Sequence, residues 1–180
     1  MCIRDSDETV GALTQRDGLL VAEQGRGEPD SLTLLAAREY HFVPIEEPLS
    51  YEVRLLLDSG PSGGTGSVFL AFSVELADGE WWWTDCSVYL ESAGCWADPD
   101  AHLFGKDVAP DTWHTLRIDV EPDPMTFYYS IDGELVNRLE PFNAEALKTA
   151  RFAPKIGVYS EDGQPVLGYI DEVRIGRPGE

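Results

Sequence analysis

The chain has 180 residues, a length that suits one domain with a full hydrophobic core. Thirteen Lys and Arg residues against 33 Asp and Glu residues give a formal charge of −20. Such a charge repels phosphate backbones and anionic lipid surfaces, so we expect no nucleic-acid partner. No apolar run approaches the roughly 20 residues of a membrane span, and no signal-peptide core is found, so we expect no membrane insertion. The scatter of the acidic residues favours a solubilising surface over cation binding.

Alternation of apolar and polar residues predicts strands along most of the chain. Met1 to Ala12 is polar and without this period, and we interpret it as a linker or an artefactual tail. Short apolar runs at Gly18–Glu23 and Leu32–Ala37 predict the first strands, separated by a turn-rich break. Clean alternation from Leu49 to Leu57 and from Val68 to Leu76 predicts two longer strands, with a glycine-rich loop between them.

The segment from Glu80 to Ser92 is the most informative for function, and its period predicts one strand. Its even positions suit the core. Its odd positions combine aromatic rings with carboxylates and a hydroxyl, which is the chemistry that sugar rings and their hydroxyl groups require. The alternative, weighted equally, is that these aromatic residues pack under a loop or at a sheet edge. The candidate ligand residues are Trp81, Trp83, Asp85, Ser87, Tyr89 and Glu91.

A long loop is predicted from Ala93 to Asp111. Within it Trp96 could extend the aromatic surface. Asp98, Asp100 and His102 alternate as a weak calcium corner, for which solvated turn residues are the favoured interpretation. Cys86 and Cys95 are the natural disulfide pair of an exported domain, with two free thiols as the open alternative.

The segment from Trp113 to Arg174 carries the clearest pattern. It predicts a strand HTLRIDV and then a hairpin FYYSIDGELV that turns at Asp132-Gly133. One or two helical turns follow over Asn143–Ala150, and two strands close the chain, with a bulge near Asp171-Glu172. His114 falls on the apolar phase of its strand, which indicates a satisfied, partly buried histidine.

This order of strands and turns resembles the C-terminal half of concanavalin A-like lectin and glucanase domains, in particular the laminin-G-like bacterial ones. The resemblance implies an all-β fold, a jelly roll of two packed antiparallel sheets with at most one short helix. We expect this domain to span residues 13–177, with residues 178–180 starting a linker to further domains of a longer chain.

The related glucanases carry the motif E-x-D-x-x-E on one strand, where it serves retaining hydrolysis. The nearest match here is Glu121-Pro122-Asp123, whose prolines place it in a turn. We therefore predict no catalytic residue and no cofactor. The leading hypothesis is a non-catalytic bacterial module, extracellular or on the cell surface, that binds a polysaccharide or glycoconjugate. The alternatives are a glycoside-processing enzyme, similar to 3-keto-disaccharide hydrolases or glucanases, and a structural spacer.

Overall fold

Two antiparallel sheets pack face to face in the computed structural model of the chain, which describes residues 11–27, 31–34, 44–62, 66–97, 104–141 and 143–179. The elements in chain order are β1 (Gly11–Arg16), β2 (Leu19–Gln24), β3 (Ser31–Leu34), β4 (Leu49–Leu57), β5 (Gly66–Glu75), β6 (Trp81–Val88), β7 (Ser92–Ala97), β8 (Phe104–Asp107), β9 (His114–Pro122), β10 (Met125–Ile131), β11 (Glu134–Leu139), α1 (Ala144–Leu147), β12 (Arg151–Ser160) and β13 (Val166–Gly176). The seven-stranded sheet has the order β1-β2-β13-β4-β9-β10-β11, and the six-stranded sheet has the order β3-β12-β5-β6-β7-β8. The predicted all-β sandwich is confirmed, and α1 is the one short helix of the described residues.

Local sequence explains the tight connections. Asp132 and Gly133 both have positive φ, 54° and 78°, as the predicted primed turn between β10 and β11 requires. The predicted bulge in the last strand is also confirmed, because the register of β13 against β4 shifts between Ile170 and Glu172.

The core lies between the sheets and is formed by the inward-facing alternate residues of both. Trp82 belongs to it, with its ring centroid 5.1 Å from that of Phe127. The two sheets approach closely at Gly168, where an added Cβ would lie only 2.8 Å from Cγ2 of Val68. The largest fully buried side chains are Tyr51, Tyr129, Phe72, Phe127, Phe152, Leu55, Leu70, Leu116, Ile118, Met125, Ile131 and Leu147.

Two tyrosine hydroxyls from the seven-stranded sheet cross this core to the six-stranded sheet. Tyr51 donates to the carbonyl oxygen of Lys155 at 2.9 Å. Tyr129 lies 2.8 Å from the Thr84 hydroxyl, which in turn donates to the carbonyl oxygen of Trp96 at 2.8 Å. Buried hydroxyls need such partners, and these bonds hold the two sheets in one position relative to each other.

The segment after Trp81 is a hairpin, and the prediction of one strand over Glu80–Ser92 is wrong. Strand β6 ends at Val88, and the chain turns through residues 89–91, where the Tyr89 amide donates to the Ser92 carbonyl at 2.7 Å. The predicted loop over Ala93–Asp111 likewise contains β7 and β8. These short strands are rich in small and polar residues, so their weak propensity hid a pairing that tertiary contacts impose.

Other segments bear on the sequence predictions. Strand β1 begins at Gly11, inside the segment interpreted as a tail. Asp98, Asp100 and His102 lie outside the described residues. In the described part of the chain no helix has the length and apolar character to cross a membrane.

Cys86 and Cys95 lie opposite each other in the β6–β7 ladder and form a disulfide. Both are buried in the core. The structure thus joins the pair that the sequence left open, and the bond ties β7 to its neighbour directly beneath the outward-facing residues Asp85 and Trp96.

Trp82→Ala should lower the free energy of unfolding by about 3 to 5 kcal/mol, because it removes a buried ring that packs against Phe127. Urea unfolding of the purified domain measures this loss. Trp81→Ala is the matched control: Trp81 is 58% exposed, and its removal should cost less than about 1 kcal/mol. Equal losses at both positions would contradict the assignment of Trp82 to the core.

Candidate functional site

The outward face of the six-stranded sheet forms the candidate site, which we call the trough. Its floor is the outward face of β5, and its walls are larger side chains of β6, β7 and β12. Although it faces away from the core, the floor is at most 5% exposed. Phe69, the largest floor residue, packs against the Trp83 ring of the wall. The floor consists of Ser67, Phe69, Ala71 and Ser73, and the principal wall residues are Trp83, Asp85, Ser87, Trp96, Lys155 and Tyr159.

The central row of the trough runs across four strands. Lys155 of β12 pairs with Ala71 of β5, Ala71 pairs with Asp85 of β6, and Asp85 pairs with Trp96 of β7. Directly opposed residues of an antiparallel ladder point to the same face. With strands about 4.8 Å apart, the row is roughly 14 Å wide and carries an ammonium, a carboxylate and an indole on one line. At one end of this row Tyr51 bonds to the Lys155 carbonyl, and at the other end Tyr129 bonds to Thr84, whose hydroxyl donates to the Trp96 carbonyl.

Asp85 organises the outward side of β6 through hydrogen bonds to its neighbours two residues away. Trp83 Nε1 donates to Asp85 Oδ1 at 3.2 Å, and the Ser87 hydroxyl donates to Asp85 Oδ2 at 2.6 Å. On its other side Trp83 packs edge-on against Phe69, with ring centroids 6.1 Å apart. Because both a carboxylate and a second ring hold it, the Trp83 indole is fixed before any ligand arrives.

Electrostatics distinguish this carboxylate from an ordinary surface aspartate. Burial raises the pKa of Asp85 to about 6, although the hydrogen bonds from Ser87 and Trp83 oppose the rise. Burial also raises the pKa of Tyr89, and the nearby charges of Asp85 and Glu161 act in the same direction. The trough therefore holds an acid that changes its charge near pH 6.

Comparison with known proteins identifies the fold. No family model and no curated protein matches the chain. Among solved structures, family 7 alginate lyase A1-II' in complex with its product superposes with a TM-score of 0.68 at 12% identity, covering 95% of this chain and 84% of that one. Alginate lyase PA1167 from Pseudomonas aeruginosa gives 0.68 at 14% identity, with 92% and 85% covered. The potassium-bound carbohydrate recognition domain of Emp46p gives 0.62 at 12% identity, with 92% and 85% covered.

The fold is the concanavalin A-like jelly roll. Identities of 12 to 14% establish this shared architecture and carry no residue role across. The resemblance seen in the sequence is confirmed at the level of the fold. The features that could carry function therefore have to be read from this chain's own side chains.

The jelly roll brings together some of the predicted site residues and separates others. Trp83, Asp85, Ser87 and Trp96 share the trough. Trp81 stands at its end, next to the ion pair of Glu75 with Arg151, whose charged atoms are 3.4 Å apart. Tyr89 lies in the turn after β6, and Glu91 is exposed in the same turn.

The sequence analysis missed the residues that β5 and β12 contribute. Lys155 is only 4% exposed and belongs to the trough through its pairing with Ala71. A signal was present, since Lys155, Gly157 and Tyr159 alternate with the core residues Ile156 and Val158. The alternation within β12 does not indicate that this strand pairs with β5, so it could not assign Lys155 to the trough.

His114 lies outside the trough, on β9 of the other sheet. His114 is 6% exposed, with Nδ1 2.9 Å from Asp132 Oδ2, at the end of the β10–β11 hairpin. The prediction of a satisfied, partly buried histidine is confirmed for the hydrogen bond, and the burial is more complete than predicted. Within the described residues no group of three His, Cys, Asp or Glu side chains could hold a metal ion.

Asp85→Asn should change how stability depends on pH. The pKa of Asp85 in the folded chain, about 6, lies above its ordinary value of 3.8, so the folded state binds the proton more tightly. Stability of the native sequence should therefore fall as pH rises from about 4 to 6, by about 1 to 3 kcal/mol for a half-buried group. Asp85→Asn has no carboxyl to ionise, so its stability relative to the native sequence should be higher at pH 7.5 than at pH 4 by this amount. Urea unfolding of both proteins at the two pH values measures the change.

Asp78→Asn is the control for removing one negative charge, because Asp78 is exposed on the turn between β5 and β6. A pH trend of the same size in Asp78→Asn would show that overall charge, and not the surroundings of Asp85, is responsible.

Proposed function

We propose that this jelly-roll domain is a non-catalytic module that binds a polysaccharide or glycoconjugate in the trough. The observation that carries the proposal is the clamped Trp83–Asp85–Ser87 run, which faces Lys155 across Ala71 and lies beside Trp96. The function of a fold with many roles has to be argued from such a site.

Each part of the trough suits a sugar ring. Indole rings stack on the apolar faces of pyranoses, and Trp83 and Trp96 supply two such rings on neighbouring strands. Carboxylate oxygens accept hydrogen bonds from hydroxyl groups, and each oxygen of Asp85 keeps acceptor capacity beyond its one bond within the chain. Lys155, only 4% exposed, places its positive charge on the far side of Ala71. A ligand that lies across the central row would meet all three kinds of group.

The comparisons support the ligand class. The Emp46p domain is a carbohydrate recognition domain, and the alginate lyase A1-II' structure holds its product. The mixed polar and aromatic surface of the trough also favours a binding module over a structural spacer, for which an apolar, closed face is expected. In line with this role, we propose that the module works outside a bacterial cell or on its surface, alongside further domains of its parent chain.

The second candidate is an enzyme of the same fold that cleaves a polysaccharide. The observation in its favour is Asp85 itself, since a half-buried carboxyl with a pKa of about 6 is suited to proton transfer. Against it stands the missing E-x-D-x-x-E spacing on one strand.

Trp83→Ala should weaken glycan binding by about 1 to 3 kcal/mol, because it removes a pre-positioned stacking ring at the centre of the trough. A glycan array on the isolated domain would identify a ligand, and titration calorimetry would then measure the loss. Leu135→Ala is the matched control, since Leu135 is 57% exposed on β11 of the other sheet. Unchanged affinity in Trp83→Ala, with a cooperative unfolding transition retained, would contradict binding in the trough.

We expect the purified domain to leave β-glucans, alginate and 3-keto-glycosides intact. Reducing-end and unsaturated-sugar assays on each polymer, run at pH 5, 6 and 7.5, test this expectation over the range in which Asp85 titrates. Product formation that disappears in Asp85→Asn but persists in Asp78→Asn would establish the enzyme instead.

A further inference from the structure

A second concave surface lies on the opposite side of the jelly roll, on the outward face of the seven-stranded sheet. We call it the Trp113 pocket. It has a volume of about 580 Å³ and is lined by Leu56 of β4, Tyr169 of β13, Trp113 just before β9, and the loop residues Asp58 and Asp111. This volume lies within the range of sites that hold one small organic molecule. The pocket shares no residue with the trough, so it is independent of the proposed function.

Bonds within the chain fix the walls of the Trp113 pocket. The Asp111 carboxylate accepts from the backbone amide of Ser59 at 2.7 Å and from its hydroxyl at 2.6 Å, and so joins the two loops at the rim. Asp58 Oδ1 accepts from the Gly60 amide at 2.9 Å. The pocket is therefore formed without a ligand, which lowers the entropic cost of binding one.

The Trp113 ring is also held in place. The Arg54 guanidinium stacks on it, 4.8 Å from the ring centroid, and is paired in turn with Asp171. Arg54 is not one of the lining residues, and neither Lys nor Arg occurs among the described residues that line the pocket. The lining thus combines two aromatic rings with two carboxylates, and the cation that contacts the Trp113 ring, Arg54, is neutralised by its ion pair with Asp171.

This combination selects one kind of ligand. Aromatic rings attract cations through their negative faces, and carboxylates accept hydrogen bonds from ammonium groups. The hydrogen bonds from Ser59 lower the pKa of Asp111, so this carboxylate is ionised at neutral pH. A neutral sugar would gain stacking and hydrogen bonds but no attraction between charges, and an anion would be repelled by the rim and by the formal charge of −20 of the whole chain.

We propose that the Trp113 pocket binds an organic primary ammonium group, carried by an amino sugar or by an alkylamine. The aliphatic or sugar skeleton would lie against Leu56 and the two rings, and the ammonium would lie towards Asp58 and Asp111. Both sources share this chemistry, and the choice of probe separates them.

The test is titration of the intact domain with cadaverine and with glucosamine. Binding is detected by calorimetry or by changes in amide chemical shifts. N-acetylglucosamine is the neutral counterpart, and about 0.15 M salt screens the general attraction of a polyanion for amines. We expect saturable binding of at least one amine at millimolar concentration and none of N-acetylglucosamine. Tighter binding of glucosamine would assign the pocket to amino sugars, and equal or tighter binding of cadaverine would assign it to alkylamines.

Two variants locate the binding. Asp58→Asn keeps the acceptor for the Gly60 amide but removes the charge, and Trp113→Leu removes the ring; each should weaken amine binding about five-fold. Asp78→Asn is the matched control, because Asp78 Oδ1 accepts from the Glu80 amide at 3.1 Å in the same kind of turn. It should change the affinity less than two-fold.

Three outcomes would overturn the proposal: no saturable amine binding, equal binding of glucosamine and its acetylated form, or equal weakening by Asp58→Asn and Asp78→Asn. If Trp113→Leu does not fold, Asp58→Asn against Asp78→Asn decides the question alone, since both keep their turn hydrogen bonds.

Discussion

Strand β5 is buried on both of its faces, and the rest of the jelly roll is arranged around this constraint. Its inward residues Val68, Leu70, Phe72 and Val74 belong to the core, while its outward residues form the floor of the trough. The inward side is covered by the seven-stranded sheet, from which Tyr51 places its ring 5.4 Å from that of Phe72. The outward side is flanked on the same face by side chains of β6 and β12, and Phe69 on it packs against Trp83.

The core and the trough are therefore mechanically connected. The hydroxyls of Tyr51 and Tyr129 end beneath opposite ends of the central row, at the backbone of Lys155 and at Thr84, which passes the contact to Trp96. Bonds of this kind in a dry interior are costly to break, so the strands that carry Lys155 and Trp96 have little freedom to shift. The rigidity of the trough thus comes from the opposite sheet.

Local pattern was sufficient for much of this structure. The alternation around Trp82 and Trp83 predicted which ring enters the core, and Asp132-Gly133 predicted a hairpin from turn chemistry alone. The turn after Val88 escaped because residues 89–91 contain no Gly, Pro, Asn or Asp to interrupt the strand pattern. Strand β7 escaped because Ala93 and Gly94 carry almost no strand propensity.

The trough itself was only half predictable. The run from Trp83 to Ser87 is continuous in sequence, so its shared face follows from the period of a strand. Lys155 and Ala71 join it only through the sheet order, and pairings between distant segments leave no trace in a single local pattern. The sequence predicts Asp85 as a sugar acceptor, but its raised pKa depends on the packing around it and could not be inferred from neighbours in sequence.

The sheet order also determines how much of the chain must be synthesised before the trough can form. Its floor comes from β5 and one wall from β6 and β7, but the other wall is β12, the last strand but one in the described chain. As the chain emerges from a ribosome, β5 has one outward flank in place and lacks the other until residues 151–160 arrive. Pairing across such separations is slow to form. A nascent chain that has not yet reached residue 160 therefore lacks one wall of the trough.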